Sequence, residues 1–167
     1  TDFDLENCTN GNCDRRRDYL VAATDLLISD LEEMANNWKK GGDARVALLE
    51  QSTDEGLSTI LTGMGSLAYG ELGGERTKLG LMLHDPEEEH DCFSDNTHWS
   101  HYHDAQGIKN VYLGEYKRVD GSWVKGPSLS KLVAQEDVAL DLEMKAKLET
   151  TEAAAQAMVD AAKQGQT

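Results

Sequence analysis

The sequence predicts an all-α protein, an antiparallel helical bundle. Three observations point there: several long segments carry apolar residues every three or four positions, only 2 prolines interrupt 167 residues, and alternating β-branched runs are few. A chain of this length fits a single domain over residues 1–167, able to bury a core without metal or disulfide staples.

The elements follow in order. Residues 1–13 read as a leading loop holding Cys8 and Cys13, in which the Asn-Gly pair of CTNGNC turns the backbone tightly. A local Cys8–Cys13 disulfide is the preferred reading and would place the chain in an oxidising compartment. Free thiols, or two ligands of a metal completed elsewhere, are the alternatives. The third cysteine, Cys92, is left single.

Residues 14–40 form the first helix, with Leu20, Ala23, Leu27, Leu31, Met34 and Trp38 on one face. Lys39, Lys40, Gly41 and Gly42 end it, with cations near the carbonyl terminus and glycine for a left-handed cap. A short helical piece covers Ala44 to Glu50. Ser52 and Glu55 then read as a capping box, opening a second long helix that reaches Leu83 and buries Leu57, Ile60, Leu61, Met64 and Leu67.

Gly63, Gly65, Gly70, Gly73, Gly74 and Gly80 crowd this helix. Each interior glycine weakens a helix by up to about 1 kcal/mol relative to alanine, so their number suggests that a helix or ligand approaches the backbone closely. A kink near Gly73 and Gly74 is the compatible alternative. A third helix is expected from about Asp95 to Tyr116, a short hairpin around VDGSW at 119–123, and further helix from about Ser128 to Lys163 with Leu140, Met144 and Leu148 on one side.

Function is constrained first by charge. The formal net charge of -15 repels nucleic acid and anionic headgroups and favours cations or basic partners. No run of about 18 apolar residues would span a bilayer, and no signal-peptide pattern is present.

All 5 histidines fall between residues 84 and 103, among Asp85, Glu87, Glu88, Glu89, Asp91, Asp95 and Asp104. On a helix from Asp95, His98 and His101 share a face with Asp104, a spacing that could hold a metal ion with open positions. HWSH lacks the glutamate of the H-E-x-x-H protease pattern. His103 points about 200 degrees from His101 and cannot join it. For His84, His101 and His103 the favoured reading is a solvated side chain among carboxylates. EHDCFSDNTH reads as a packed, hydrogen-bonded loop in which Ser94, Asp95 or Asn96 caps the next helix.

GMGSLAYGELGGER (63–76), EHDCFSDNTH (89–98) and DAQGIKNVYLGEY (104–116), with RRRDYL at 15–20, together resemble the imelysin family. That family includes the iron-regulated protein A group and an insulin-cleaving membrane protease. The resemblance implies two helical bundles, residence in the periplasm or at the outer membrane, an association with iron uptake and a debated peptidase activity.

One departure shapes the expectation: the family's G-x-H-x-x-E metal motif, which belongs to its N-terminal half, does not occur here. The chain therefore looks like the second half of such a protein, a cleaved or truncated product. Its partner would be the N-terminal half as a separate chain, or a second copy. Glu71, Glu75, Arg76, His90, Ser94, Asp95 and Asn96 would then wall a ligand site, or stand behind ligands, with iron or another metal ion held mainly by residues outside this chain. A binding protein is favoured over a metallopeptidase or an interaction half-domain whose loop only locks two bundles together.

Overall fold

The computed structural model describes residues 2–165, and these form an all-α protein with one small hairpin. They fall into two compact units, one ending at Thr59 and the other starting at Ile60.

In the first unit, Cys8 and Cys13 form a disulfide across Cα atoms 5.8 Å apart. The loop closes through Gly11 and Asn12, both at positive φ. Cys13 already belongs to α1 (Cys13–Trp38), so the leading loop ends one residue earlier than the sequence suggests. Helix α1 ends at Lys39, followed by Gly41 in the left-handed region. Gly42 then meets the last turn of α1 so closely that a Cβ would collide with the Asn36 and Asn37 carbonyl oxygens. Helix α2 (Asp43–Leu49) packs back on α1.

Ser52 and Glu55 make the expected capping box at the start of α3 (Thr53–Gly65). The Ser52 hydroxyl and amide donate to Glu55 Oε2 at 2.7 and 3.1 Å, and the Glu55 amide donates to Ser52 Oγ at 3.3 Å.

The expected buried stripe of the first long helix is not covered, and that of the second is covered only in part. Leu20, Leu27, Leu31, Met34 and Trp38 are exposed, as is Leu61, while Leu57, Ile60, Met64 and Leu67 are half-buried. Helical spacing identifies an apolar face, but its burial needs an opposing element.

The second unit begins within α3, which continues into a π-helical segment (Ser66–Lys78) and α4 (Leu79–Leu83). The glycines here answer to helix geometry more than to a close partner. Nothing lies near the positions a Cβ would take at Gly63, Gly65 or Gly70. At Gly73 and Gly74 it would press, at 3.1 Å, on the carbonyl oxygens of Ala68 and Tyr69, five residues earlier, where the wider turn places them. The helix winds through this region without a break.

After a 3₁₀ turn (Pro86–Glu88), helix α5 runs over Thr97–Leu113. Gly114, at φ 64, ends it earlier than expected and starts the hairpin of β1 (Glu115–Lys117) and β2 (Trp123–Lys125), where Glu115 pairs with Lys125. The expected last helix is two, α6 (Leu129–Glu136) and α7 (Val138–Lys163), separated at Asp137. The Asp137 carboxylate accepts the Leu140 amide at 3.0 Å, an N-cap that favours a new start over continuation.

Helices α5 and α7 carry the core. His101, Ala105, Ile108 and Tyr112 are buried on α5, and Asp141, Ala155 and Val159 on α7, each set at spacings that keep one face. The inward face of α7 is thus one residue away from Leu140 and Met144, which remain exposed. Contacts fix an antiparallel pairing: Trp99 near the start of α5 lies under Lys163 at the end of α7, Lys109 pairs with Glu152 at 2.6 Å, and Tyr112 meets Asp141.

That last contact anchors the far end. The Tyr112 hydroxyl donates to Asp141 Oδ1 at 3.0 Å, and Lys145 Nζ donates to Oδ2 at 2.7 Å. Burial, followed by the hydrogen bond to Asp141 and its charge, pushes the Tyr112 phenol up to about 12. The folded value exceeds the ordinary value of 10.0, so this contribution to stability is complete below pH 10 and is lost as pH rises towards about 12. Urea midpoints across that range should fall more steeply for the native chain than for Tyr112→Phe. Parallel curves would show that Tyr112 is not the group responsible.

Candidate functional site

The loop between the 3₁₀ turn and α5 folds back over the first turn of α5. The Asp91 amide donates to Thr97 Oγ1 at 3.1 Å, and that hydroxyl donates to Glu89 Oε2 at 3.2 Å. The Asp91 carboxylate also accepts a short hydrogen bond from Ser100, and Ser94 Oγ donates to the Asp91 carbonyl at 3.3 Å. Asp95 takes a positive φ of 49 to complete the turn, a conformation that aspartate tolerates better than most residues.

This stapling carries His90 to His101. Their ring centroids are 6.0 Å apart with planes tilted by 41°. His101 is only 4% exposed, and neither its Nε2 nor His90 Nδ1 has a hydrogen-bond partner among the described residues, although both atoms are buried. Asp91 Oδ2 lies 3.5 Å from His90 Nδ1, near enough for charge attraction but without hydrogen-bond geometry. Burial, and next the neighbouring His90, push the His101 imidazole down from 6.5, while Asp104, Asp91 and Glu89 pull the other way. Burial therefore favours the neutral form of His101, contrary to the solvated, charge-favoured side chain that the acidic surroundings suggested.

The sequence-derived candidates are brought together only in part. In the π-helical segment Arg76 Nε lies 3.5 Å from Glu71 Oε2, five residues apart, and Glu71, Glu75 and Arg76 are all exposed. This segment packs against α5. Ser94, Asp95 and Asn96 are exposed, and Asn96 begins α5 without a side-chain cap; the Thr97 hydroxyl ties the loop there instead.

The trio His98, His101 and Asp104 does not converge. His101 turns into the core towards His90, His98 sits by Trp99 at 6.3 Å between ring centroids, and Asp104 is half-buried. Among the described residues no group of three or more His, Cys, Asp or Glu side chains is arranged to hold a metal ion. The imidazole pair offers two nitrogen donors with no third ligand, which fits part of a metal site.

The pairing of His90 with His101 escaped the sequence because helical spacing links residues within α5 only. The hint available was the alternation of Asp91, Thr97 and Ser100, hydrogen-bonding side chains suited to folding a loop onto a helix start. Also unforeseen is a ring cluster on α5: Trp99 stacks on His103 at 5.5 Å, and Tyr102 meets both edge-on.

Comparison with known families identifies the chain. The family model for imelysin, peptidase family M75, matches residues 1–166. The chain belongs to the imelysin family. No curated protein matches it. Imelysin proteins are typically extracytoplasmic, and among the described residues no helix is long and apolar enough to cross a membrane. One of the several stretches that resemble imelysins, 89–98, carries His90 and Asp91, which lie against His101 and Ser100 of α5.

Proposed function

We propose that this imelysin is a cell-envelope protein, periplasmic or attached to the outer membrane, that serves iron uptake by binding a metal ion or metal-bearing ligand in a cleft between two helical bundles. The observation that carries this reading is the pair of buried ring nitrogens, His90 Nδ1 and His101 Nε2, left without partners beside Asp91. A buried polar atom without a partner costs about 1–3 kcal/mol, and a bound cation or ligand would remove that cost. The surrounding negative charge raises the local concentration of cations.

The opposing bundle is the N-terminal half of the same protein, or a second copy. Phe93, 99% exposed in the middle of the loop, suits such a cover. Under this reading Glu71, Glu75, Arg76, Ser94, Asp95 and Asn96 line the cleft and orient ligands supplied by the other half. Titration of the purified protein with iron, copper and zinc salts in a calorimeter should give heat above buffer for at least one ion. Heats equal to buffer for all of them would remove the metal-binding reading.

A further inference from the structure

We infer that His90 and His101 are themselves ligands, through Nδ1 and Nε2, of a divalent transition-metal ion of the class that imidazole prefers: zinc, copper(II), nickel, cobalt(II) or ferrous iron. This deepens the binding reading above and rests on it. It assigns to His90 a direct bond in place of a position in the cleft wall, and gives His101 a partner other than His98 and Asp104.

Three observations converge. Both nitrogens are buried and unpartnered within one loop-helix junction. The rings stand 6.0 Å apart between centroids. Two imidazoles sharing one ion, each nitrogen about 2.0–2.1 Å from it, place their centroids about 5–6 Å apart, depending on the angle at the metal. The arrangement is also held in advance: Asp91 is tied by Ser100 and, through its amide, by Thr97, so the loop need not be ordered when the ion binds.

The donor chemistry selects the ion. Two neutral imidazoles suit zinc, copper, nickel and ferrous iron, whereas calcium and magnesium require cages of oxygen ligands. Asp91, Glu89 and Asp104 provide the electrostatic surroundings in which a dication is tolerated. With no third ligand among the described residues, the ion keeps positions for water or for a ligand from outside this chain.

The test uses the whole chain after chelator treatment, with cobalt(II) and zinc(II) as probes. One ion per chain should bind, cobalt giving the visible absorption of a nitrogen-ligated centre, and excess magnesium or calcium should not displace it. His90→Gln and His101→Gln should each weaken zinc binding at least about tenfold, while His84→Gln leaves it unchanged.

Because His101 is buried and its variant could lose its fold, ¹⁵N spectra of the unmutated chain provide a second readout. Zinc should move the ring-nitrogen signals of His90 and His101 and leave those of His84 and His103 in place. Zinc binding that leaves the His90 and His101 signals unmoved, or that survives the double variant, overturns the inference while the wider binding reading stands. Preference for calcium or ferric iron over zinc overturns it likewise. No binding of any ion overturns both.

Discussion

Val159→Asp should abolish cooperative folding of the unit that begins at Ile60. Val159 is fully buried on the face of α7 that packs on α5. The carboxylate would enter the apolar seam that buried Ala155 and Val159 form with buried Ala105 and Ile108 of α5, out of reach of solvent. An unpaired charge in such a place costs several kcal/mol even after relaxation. A domain's whole stability is about 5–15 kcal/mol.

The margin here is narrow for a second reason. Among the described residues the buried apolar ones are Cys13, Ala105, Ile108, Tyr112, Ala155 and Val159, so nearly all of this core lies on one helix pair. Val159→Ala, which removes about two methylene groups at about 0.8 kcal/mol each plus a cavity cost, should lower the melting temperature yet preserve a sharp transition. Thermal melts followed by circular dichroism would separate the two. An aspartate variant melting within a few degrees of the native chain would show that the α5–α7 seam does not hold the unit together.

The same seam shows what could be read in the sequence. The class was legible because period, proline scarcity and caps agree; the Ser52–Glu55 box was legible because its reciprocal bonds are made between residues three apart. What escaped depends on partners distant in sequence. On α7 the inward row starts at Asp141, a polar residue whose burial is possible because Tyr112 and Lys145 satisfy it, so counting apolar side chains chose Leu140 and Met144 instead.

His101 looked solvated for the same reason. The carboxylates do lie near the ring, but burial outweighs them, and it is the fold of loop 89–96 that brings His90 to it. The apolar face of α1 was identified, but a sequence cannot say whether an opposing element is present to cover it. The glycines between 63 and 80 were noticed, but a wide helical turn leaves no composition signal distinct from a kink.

Gly114→Ala should be the most damaging of the glycine substitutions in the second unit, and for two separable reasons. Gly114 ends α5 at φ 64, where a residue with a Cβ carries a penalty of about 1–2 kcal/mol. In addition, its Cβ would be driven into the Pro127 carbonyl oxygen, with Ser128 Cα 3.1 Å away. Both obstacles are backbone, so neither can swing aside as a side chain would. The Gly114 carbonyl also accepts the Gly126 amide at 2.8 Å, so displacing this residue disturbs the join between α5, the hairpin and the start of α6. The combined cost should be about 3 kcal/mol or more.

Gly121, in the hairpin turn at φ 83, provides the comparison because its Cβ direction meets open space. Alanine there should cost only the conformational penalty. Asparagine, which tolerates the left-handed region, should recover part of the loss at 121 but almost none at 114, where the obstacle is volume. Urea denaturation of the four variants would distinguish the two mechanisms. Equal recovery by asparagine at both positions would mean that Gly114 is required for its φ alone and that the Pro127 contact yields.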